Sequence, residues 1–222
     1  TPEGEGAGGG IVTFLVAFVV RKGDNNMSRE FAVTYDYLCP FARNVNEAIV
    51  EALQDGADWV VTFRPFSLSQ NHKGPEGSDV WDVPLDTNLS SGVRALVWSL
   101  AVRDSFPERF LSFHSALFAA RHDHAIDIGD DDAVKEVAET VGLDVDAVAA
   151  VVASGVPQKG LKTEHLGLVE DHAVFGVPTF IAGDEAVFVR LMDRHNVHDI
   201  ERITDMLTWT NVNEFKRTRI PR

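Results

Sequence analysis

The chain has 222 residues, 45% of them hydrophobic and 24% charged, and carries a net charge of −14. That length and balance suit a folded α/β-sized domain with a sizeable core, while the acidic charge excludes nucleic-acid binding through phosphate neutralisation and docking on anionic membranes. The single cysteine, Cys39, excludes an internal disulfide and a cysteine-rich zinc site, and a reducing, cytoplasmic setting is the simplest fit.

Residues 1–28 stand apart from the fold as a flexible or artefactual segment. "TPEGEGAGGG" is glycine-rich, and the apolar run "IVTFLVAFVV" (11–20) is too short to span a membrane. Its flanks run against a signal peptide, because acids precede it while Arg21 and Lys22 follow. An added edge strand is the other reading of this run.

The next stretch alternates. In "FAVTYDYL" (31–38), Phe31, Val33, Tyr35 and Tyr37 face one way and Ala32, Thr34 and Asp36 the other, which is strand period. Residues 41–54 change to helix period, with Phe41, Val45, Ile49 and Leu53 as the apolar stripe and Asp55-Gly56 as the stop. "WVVTFRPF" (59–66) predicts a second strand, completing a strand–helix–strand unit. Residues 67–90 read as a long loop. Helical patterns then continue to about residue 173, with Pro107 at a tolerated first position, acids opening the "DIGDDDAVKEVAETVG" helix, and a last helix near 158–173. "PTFIAGDEAVFVR" (178–190) predicts a hairpin turning at Gly183-Asp184, and 196–208 a closing helix. The order β-α-β, helices, β-β-α is an α/β fold with an inserted helical domain. Its parts are 29–75 with 170–210, the insert 76–169, and a basic tail 211–222.

Within "YDYLCPFARN" (35–44), Cys39 falls at the cap of the first long helix and Pro40 at its first position, where a missing N–H is harmless. A helix N-terminus favours a thiolate, and Arg43, one turn on, is placed to add positive charge. A dithiol motif would need cysteine at position 42; Ala42 stands there. The competing reading of Cys39 is a buried, inert small hydrophobe.

Cys-Pro after the first strand and "FGVPTF" (175–180) before the hairpin, in this order of elements, resemble the DsbA-like branch of the thioredoxin superfamily. The tail "FKRTR" (215–219) resembles the carboxyl end of actinobacterial mycothiol-dependent DsbA-like reductases; FrnE-like proteins and hydroxychromene-carboxylate isomerases are more distant. The resemblance implies a thioredoxin-like fold, a reactive Cys39 flanked by Pro40, and a cis Val177-Pro178 loop beside it. Phe41, Arg43, Val177, Thr179 and His172 are the implied contacts to a substrate or thiol. Lys216, Arg217 and Arg219 would fold back onto an anionic or sugar-bearing thiol.

Without a second cysteine, the expected chemistry is monothiol exchange. No cofactor is held tightly; a low-molecular-weight thiol, mycothiol or glutathione, serves as partner to a disulfide or electrophilic substrate, with the protein a monomer or homodimer. Two alternatives stay open: a thiol-cofactor-dependent isomerase or transferase in which Cys39 is not the nucleophile, and a redox-inactive binding protein. The pairs His122/His124 and His195/His198 lack a further ligand at motif spacing, so no metal site is expected. Trp81, Trp98 and Trp209 read as core or pocket walls.

Overall fold

The computed structural model describes residues 18–19, 28–85 and 91–220. Its sheet has the strand order β1-β3-β2-β4-β5, formed by β1 Phe18–Val19, β2 Arg29–Tyr35, β3 Trp59–Pro65, β4 Thr179–Ala182 and β5 Glu185–Phe188. β2 and β3 run parallel, from Arg29 opposite Trp59 to Tyr35 opposite Pro65, and helix α1 Pro40–Gln54 makes the crossover between them. β4 lies antiparallel on the other side of β2, and β5 antiparallel to β4. Of the apolar run at 11–20, Phe18 and Val19 pair antiparallel with Val61 and Val60 at the edge of β3; the remainder lies outside the described residues.

β2 stops at Tyr35, short of the strand read over 31–38. Asp36 turns the chain: its carbonyl accepts the Cys39 N–H at 3.0 Å and its carboxylate the Leu38 N–H at 2.9 Å. A local side-chain acceptor of this kind competes with the strand ladder and wins here. The long loop read over 67–90 contains one helical turn, α2 Leu68–Asn71, because the Ser67 hydroxyl caps it by accepting the Gln70 N–H at 3.1 Å.

Beyond α2, the described residues before β4 form α3 Ser91–Ser105, α4 Pro107–His122, α5 Asp131–Thr140, α6 Val145–Ala153 and α7 Val156–His172. Asp130 and Asp144 cap α5 and α6 through the Ala133 and Ala147 N–H groups. Gly155, with φ of 72°, breaks α6 from α7, and Pro157 follows in the first turn, so α7 starts before the expected residue 158. Helix α3 is buried on all sides through Val93, Ala95, Leu96, Val97, Trp98, Leu100 and Ala101, as a helix apolar all round requires. α8 Val197–Met206 closes the chain's last turn onto α1, within the helix read over 196–208. No described helix is long and apolar enough to cross a membrane.

Sheet and helices share one apolar core, and a polar chain is buried inside it. Tyr35 and Tyr37 both place their hydroxyls on Ser99 Oγ, at 2.9 and 2.8 Å. Tyr37 Oη also lies 2.7 Å from His114 Nδ1, and His114 Nε2 lies 3.0 Å from Asn46 Oδ1. The Asn46 amide nitrogen donates to the Ala42 carbonyl at 2.8 Å, so its oxygen faces His114 and the proton belongs on Nε2. Five rings enclose the imidazole: Phe110 stacks on it, and Tyr35, Tyr37, Phe63 and Phe118 meet it edge-on. Burial holds the His114 pKa down at about 3.

This depression has a defined sign. The neutral imidazole stabilises the fold fully above the ordinary histidine value, and the contribution is lost as pH falls toward about 3. His114→Gln is expected to be less stable than the wild type by roughly 2–3 kcal/mol at neutral pH, since it strands buried partners. Its urea midpoint should also fall less steeply than the wild type's between about pH 6.5 and about pH 4. Equal slopes in urea titrations of the two proteins would contradict the buried-neutral assignment.

Candidate active site around Cys39

Helix α1 begins where the Asp36 turn leaves it. Cys39 is the N-cap, in extended conformation with φ of −92° and ψ of 116°, and Pro40 opens the helix. The sulfur accepts the Ala42 N–H at 3.4 Å and donates its own proton to the Val177 carbonyl, also at 3.4 Å. That second contact joins residues 138 apart in sequence.

The far side of the site arrives from α7. Its last turn ends on Ala173 in left-handed conformation, with φ of 51°, and the N–H groups of Ala173 and Val174 close back on Val169 and Leu168. The loop then passes through a cis Val177–Pro178 peptide. Thr179 locks it to the sheet: its N–H donates to Thr34 Oγ1 at 2.8 Å and its hydroxyl to the Gly176 carbonyl at 2.8 Å. Among the described residues nothing accepts the Val177 N–H. Cys39, Pro40, Val177, Pro178 and Thr179 are thus brought together.

Asp36 lies beneath them, fully enclosed, with Leu38 N–H on one oxygen and Leu68 N–H at 2.7 Å on the other. Gly92 at the start of α3 gives it room, since a Cβ there would stand 3.1 Å from Asp36 Oδ1 and 2.9 Å from Leu38 Cδ1. Burial, only partly offset by these two amides, pushes the Asp36 pKa up to about 6.

The thiol departs from expectation. Its pKa is raised, chiefly because Cys39 is buried to 8% exposure; the Ala42 and Phe41 N–H groups pull it down as a helix N-terminus should, but they are outweighed. Asp36 adds to the rise, and Arg190 opposes it. Arg43, expected to supply this positive charge, turns away. Its guanidinium pairs with Asp123 at 3.0 Å and touches Asn44 Oδ1.

The other predicted residues divide. Phe41 is at the site: its half-buried ring lies under the Arg190 guanidinium, 5.4 Å from its centroid. His172 ends α7 with Nδ1 enclosed and without a hydrogen-bond partner, and it makes no polar contact with Cys39. Lys216, Arg217 and Arg219 are exposed, and among the described residues no hydrogen bond or ion pair ties them to the site. Trp81 and Trp98 are core, whereas Trp209 is 60% exposed and walls nothing. The histidines His195 and His198 face Glu51 and Glu201, and His122 Nε2 meets the Tyr37 carbonyl; no group of three or more metal-ligating residues is present among the described residues.

Sequence reading missed Asp36, Phe175, Phe188 and Arg190. Phe188 lies under the same guanidinium at 5.3 Å, and Phe175, 65% exposed, packs against Phe188 at 5.0 Å between centroids. The available signal was the alternation in "VFVR", which sets Phe188 and Arg190 on one side of the hairpin's outgoing strand.

The model of the DsbA-like thioredoxin domain matches residues 32–202 of this chain. The chain belongs to that family. A Bacillus subtilis protein named as the uncharacterised protein YwbO is 26% identical over 182 residues, covering 72% of this chain and 90% of its own. Among solved structures, the thiol-disulfide exchange protein alpha-DsbA2 from Wolbachia pipientis superposes with a TM-score of 0.56 at 22% identity, over 83% of this chain and 84% of its own. A 2-hydroxychromene-2-carboxylate isomerase gives a TM-score of 0.59 at 18% identity, over 82% and 97%. Both share the DsbA-like fold; in this chain α3 to α7 lie between β3 and β4.

The raised Asp36 pKa predicts a pH dependence opposite in sign to that of His114. The protonated acid favours the folded state, so its contribution, on the order of 3 kcal/mol, is present below about pH 4 and lost as pH rises through about 6. The difference in unfolding free energy between wild type and Asp36→Asn is expected to shift across that window and to stay level above about pH 7. A difference that does not change with pH would count against a shifted Asp36.

Proposed function

We propose that this protein performs thiol–disulfide exchange with Cys39 as its single nucleophile and draws the second thiol from a low-molecular-weight thiol such as glutathione or mycothiol. The carrying observation is the meeting of Cys39 Sγ with the Val177 carbonyl of the cis-proline loop, while the fully buried Ala42 stands where a resolving thiol would be. The Cys39 thiol loses its proton to solvent, and the thiolate attacks a disulfide. A new bond joins Cys39 Sγ to one sulfur; the old S–S bond breaks, and the departing thiolate takes up a proton. A free thiol, acting as its thiolate, then attacks the mixed disulfide and releases Cys39 reduced. A reducing compartment, the cytoplasm, supplies that thiol.

The substrate end of the site supports this reading. The Val177 N–H, unpaired among the described residues, belongs to the residue whose carbonyl meets the sulfur and is suited to an extended substrate main chain. Phe41, Phe188 and Phe175 supply an apolar surface beside it.

One observation favours a second reading. With its pKa raised, Cys39 is held as a neutral S–H that donates to Val177, a contact fit for orienting a cofactor's thiol rather than attacking a disulfide. An isomerase or transferase would use the residue in that way.

The two readings give different outcomes. Under the first, intact-mass analysis after exposure to oxidised glutathione shows a Cys39 mixed disulfide, absent in Cys39→Ser. Under either reading, alkylation by iodoacetamide keeps accelerating as pH passes 9.0, the ordinary value from which the thiol is raised. Ala42→Cys is expected to give an internal disulfide on oxidation and to shorten the life of the mixed disulfide. No mixed disulfide at any pH, with turnover of a thiol-dependent isomerisation surviving in Cys39→Ser, would reject the first reading for the second.

A further inference from the structure

We propose that Arg190 selects a carboxylate on the thiol or disulfide that Cys39 engages, so that the site prefers anionic thiol compounds to neutral ones; this rests on the exchange reading above. The guanidinium lies over the rings of Phe41 and Phe188, at 5.4 and 5.3 Å. Ring faces hold a cation but accept few of its N–H groups edge-on. Among the described residues no hydrogen bond or ion pair engages those groups. Neighbouring arginines differ: Arg194 pairs with Glu47 at 2.6 Å and Asp123 at 3.0 Å, and Arg43 with Asp123. In a chain with 34 acidic residues against 20 basic ones, a guanidinium without a carboxylate, held over Phe41 on the helix that Cys39 caps, is an available anion site.

Its position is enforced from both sides. The residue before it, Val189, donates its N–H to the carbonyl of Pro178 at 3.1 Å. After it, Asn44 Nδ2 donates to the carbonyls of Leu191 and Met192 at 2.9 and 3.2 Å. Arg194 and His195 then pair with Glu47 and Glu51. Asn44, Glu47 and Glu51 all lie on α1, the helix that Cys39 caps. Arg190 is therefore suspended between the cis-proline loop and the cysteine helix, the two halves of the site. Its guanidinium covers Phe41, two residues after Cys39 on the same helix, and its charge favours the Cys39 thiolate. The overall charge of −14 repels small anions from the molecule, so a local reversal here discriminates between anionic and neutral substrates.

The probes are two symmetric disulfides of similar size, dithiodipropionate, which carries carboxylates, and hydroxyethyl disulfide, which is neutral. The measurement is the rate of Cys39 mixed-disulfide formation by intact mass at about pH 8. The ratio of the anionic to the neutral rate is expected to fall about fivefold in Arg190→Gln, a size typical of an exposed ion pair, and to be largely kept in Arg190→Lys. Comparing each variant with the wild type cancels the intrinsic difference between the leaving thiols, and the lysine variant shows that any fall reflects charge rather than lost packing. A ratio equal in wild type and Arg190→Gln, with Cys39 still forming both adducts, overturns the role of Arg190 and leaves exchange standing. Failure of Cys39 to form either adduct overturns exchange and this inference with it.

Discussion

Asp36 accepts the amides of Leu38 and Leu68 on its two carboxylate oxygens and the amide of Cys39 on its carbonyl. These three bonds end a strand, start a helix and fix the segment after β3 against both. Without them the alternation of β2 would carry Tyr37 onward in the ladder, and Cys39 would lie in extended chain rather than at a cap. Enclosing a carboxyl group in this way is unfavourable for its charged form, which is why it resists ionisation until about pH 6. The site is therefore built over a group that is neutral in acid and ionised above that pH.

Two effects compete at the sulfur. A helix N-terminus favours an anion by roughly 0.3–1 kcal/mol at exposed positions, whereas desolvation of a buried ionisable group shifts its pKa by up to several units. With Cys39 almost enclosed and an acid below it, burial wins in the resting molecule. The hydrogen bond to Val177 acts in the same direction, because a carbonyl oxygen accepts from S–H but repels a thiolate. Arg190 already opposes the rise without overcoming it, so the balance changes only when a substrate displaces this bond.

The sequence was legible where one periodicity decides the outcome. The changes from period two to 3.6 mark β2, α1 and β3, and the caps Asp130 and Asp144 mark the inserted helices. It was not legible where a single side chain decides. Ser67 makes a helix too short to show a period, and Asp36 cuts a strand whose alternation still looks intact. Arg43 occupies the expected helical position, but spacing along the chain does not show that Asp123, on the far side, is its partner. Arg190 was missed for the converse reason: its importance comes from Phe41, Asn44 and Pro178, which folding alone brings to it and its neighbours. The direction of the thiol's pKa required burial, which no local pattern contains.

Ala42, packed with no exposed surface under the Asn46 side chain, has a consequence for the equilibrium the molecule would report. A dithiol site closes on itself, so its oxidised fraction depends on the square of the free thiol concentration over that of the disulfide. A lone sulfur forming a mixed disulfide depends on the first power of each, that is, on their simple ratio. Doubling the whole pool would shift a dithiol protein and leave this one where it was. On the proposed exchange chemistry, a single methyl group in place of a second sulfur would make the difference between sensing how much thiol a compartment holds and sensing only how oxidised it is.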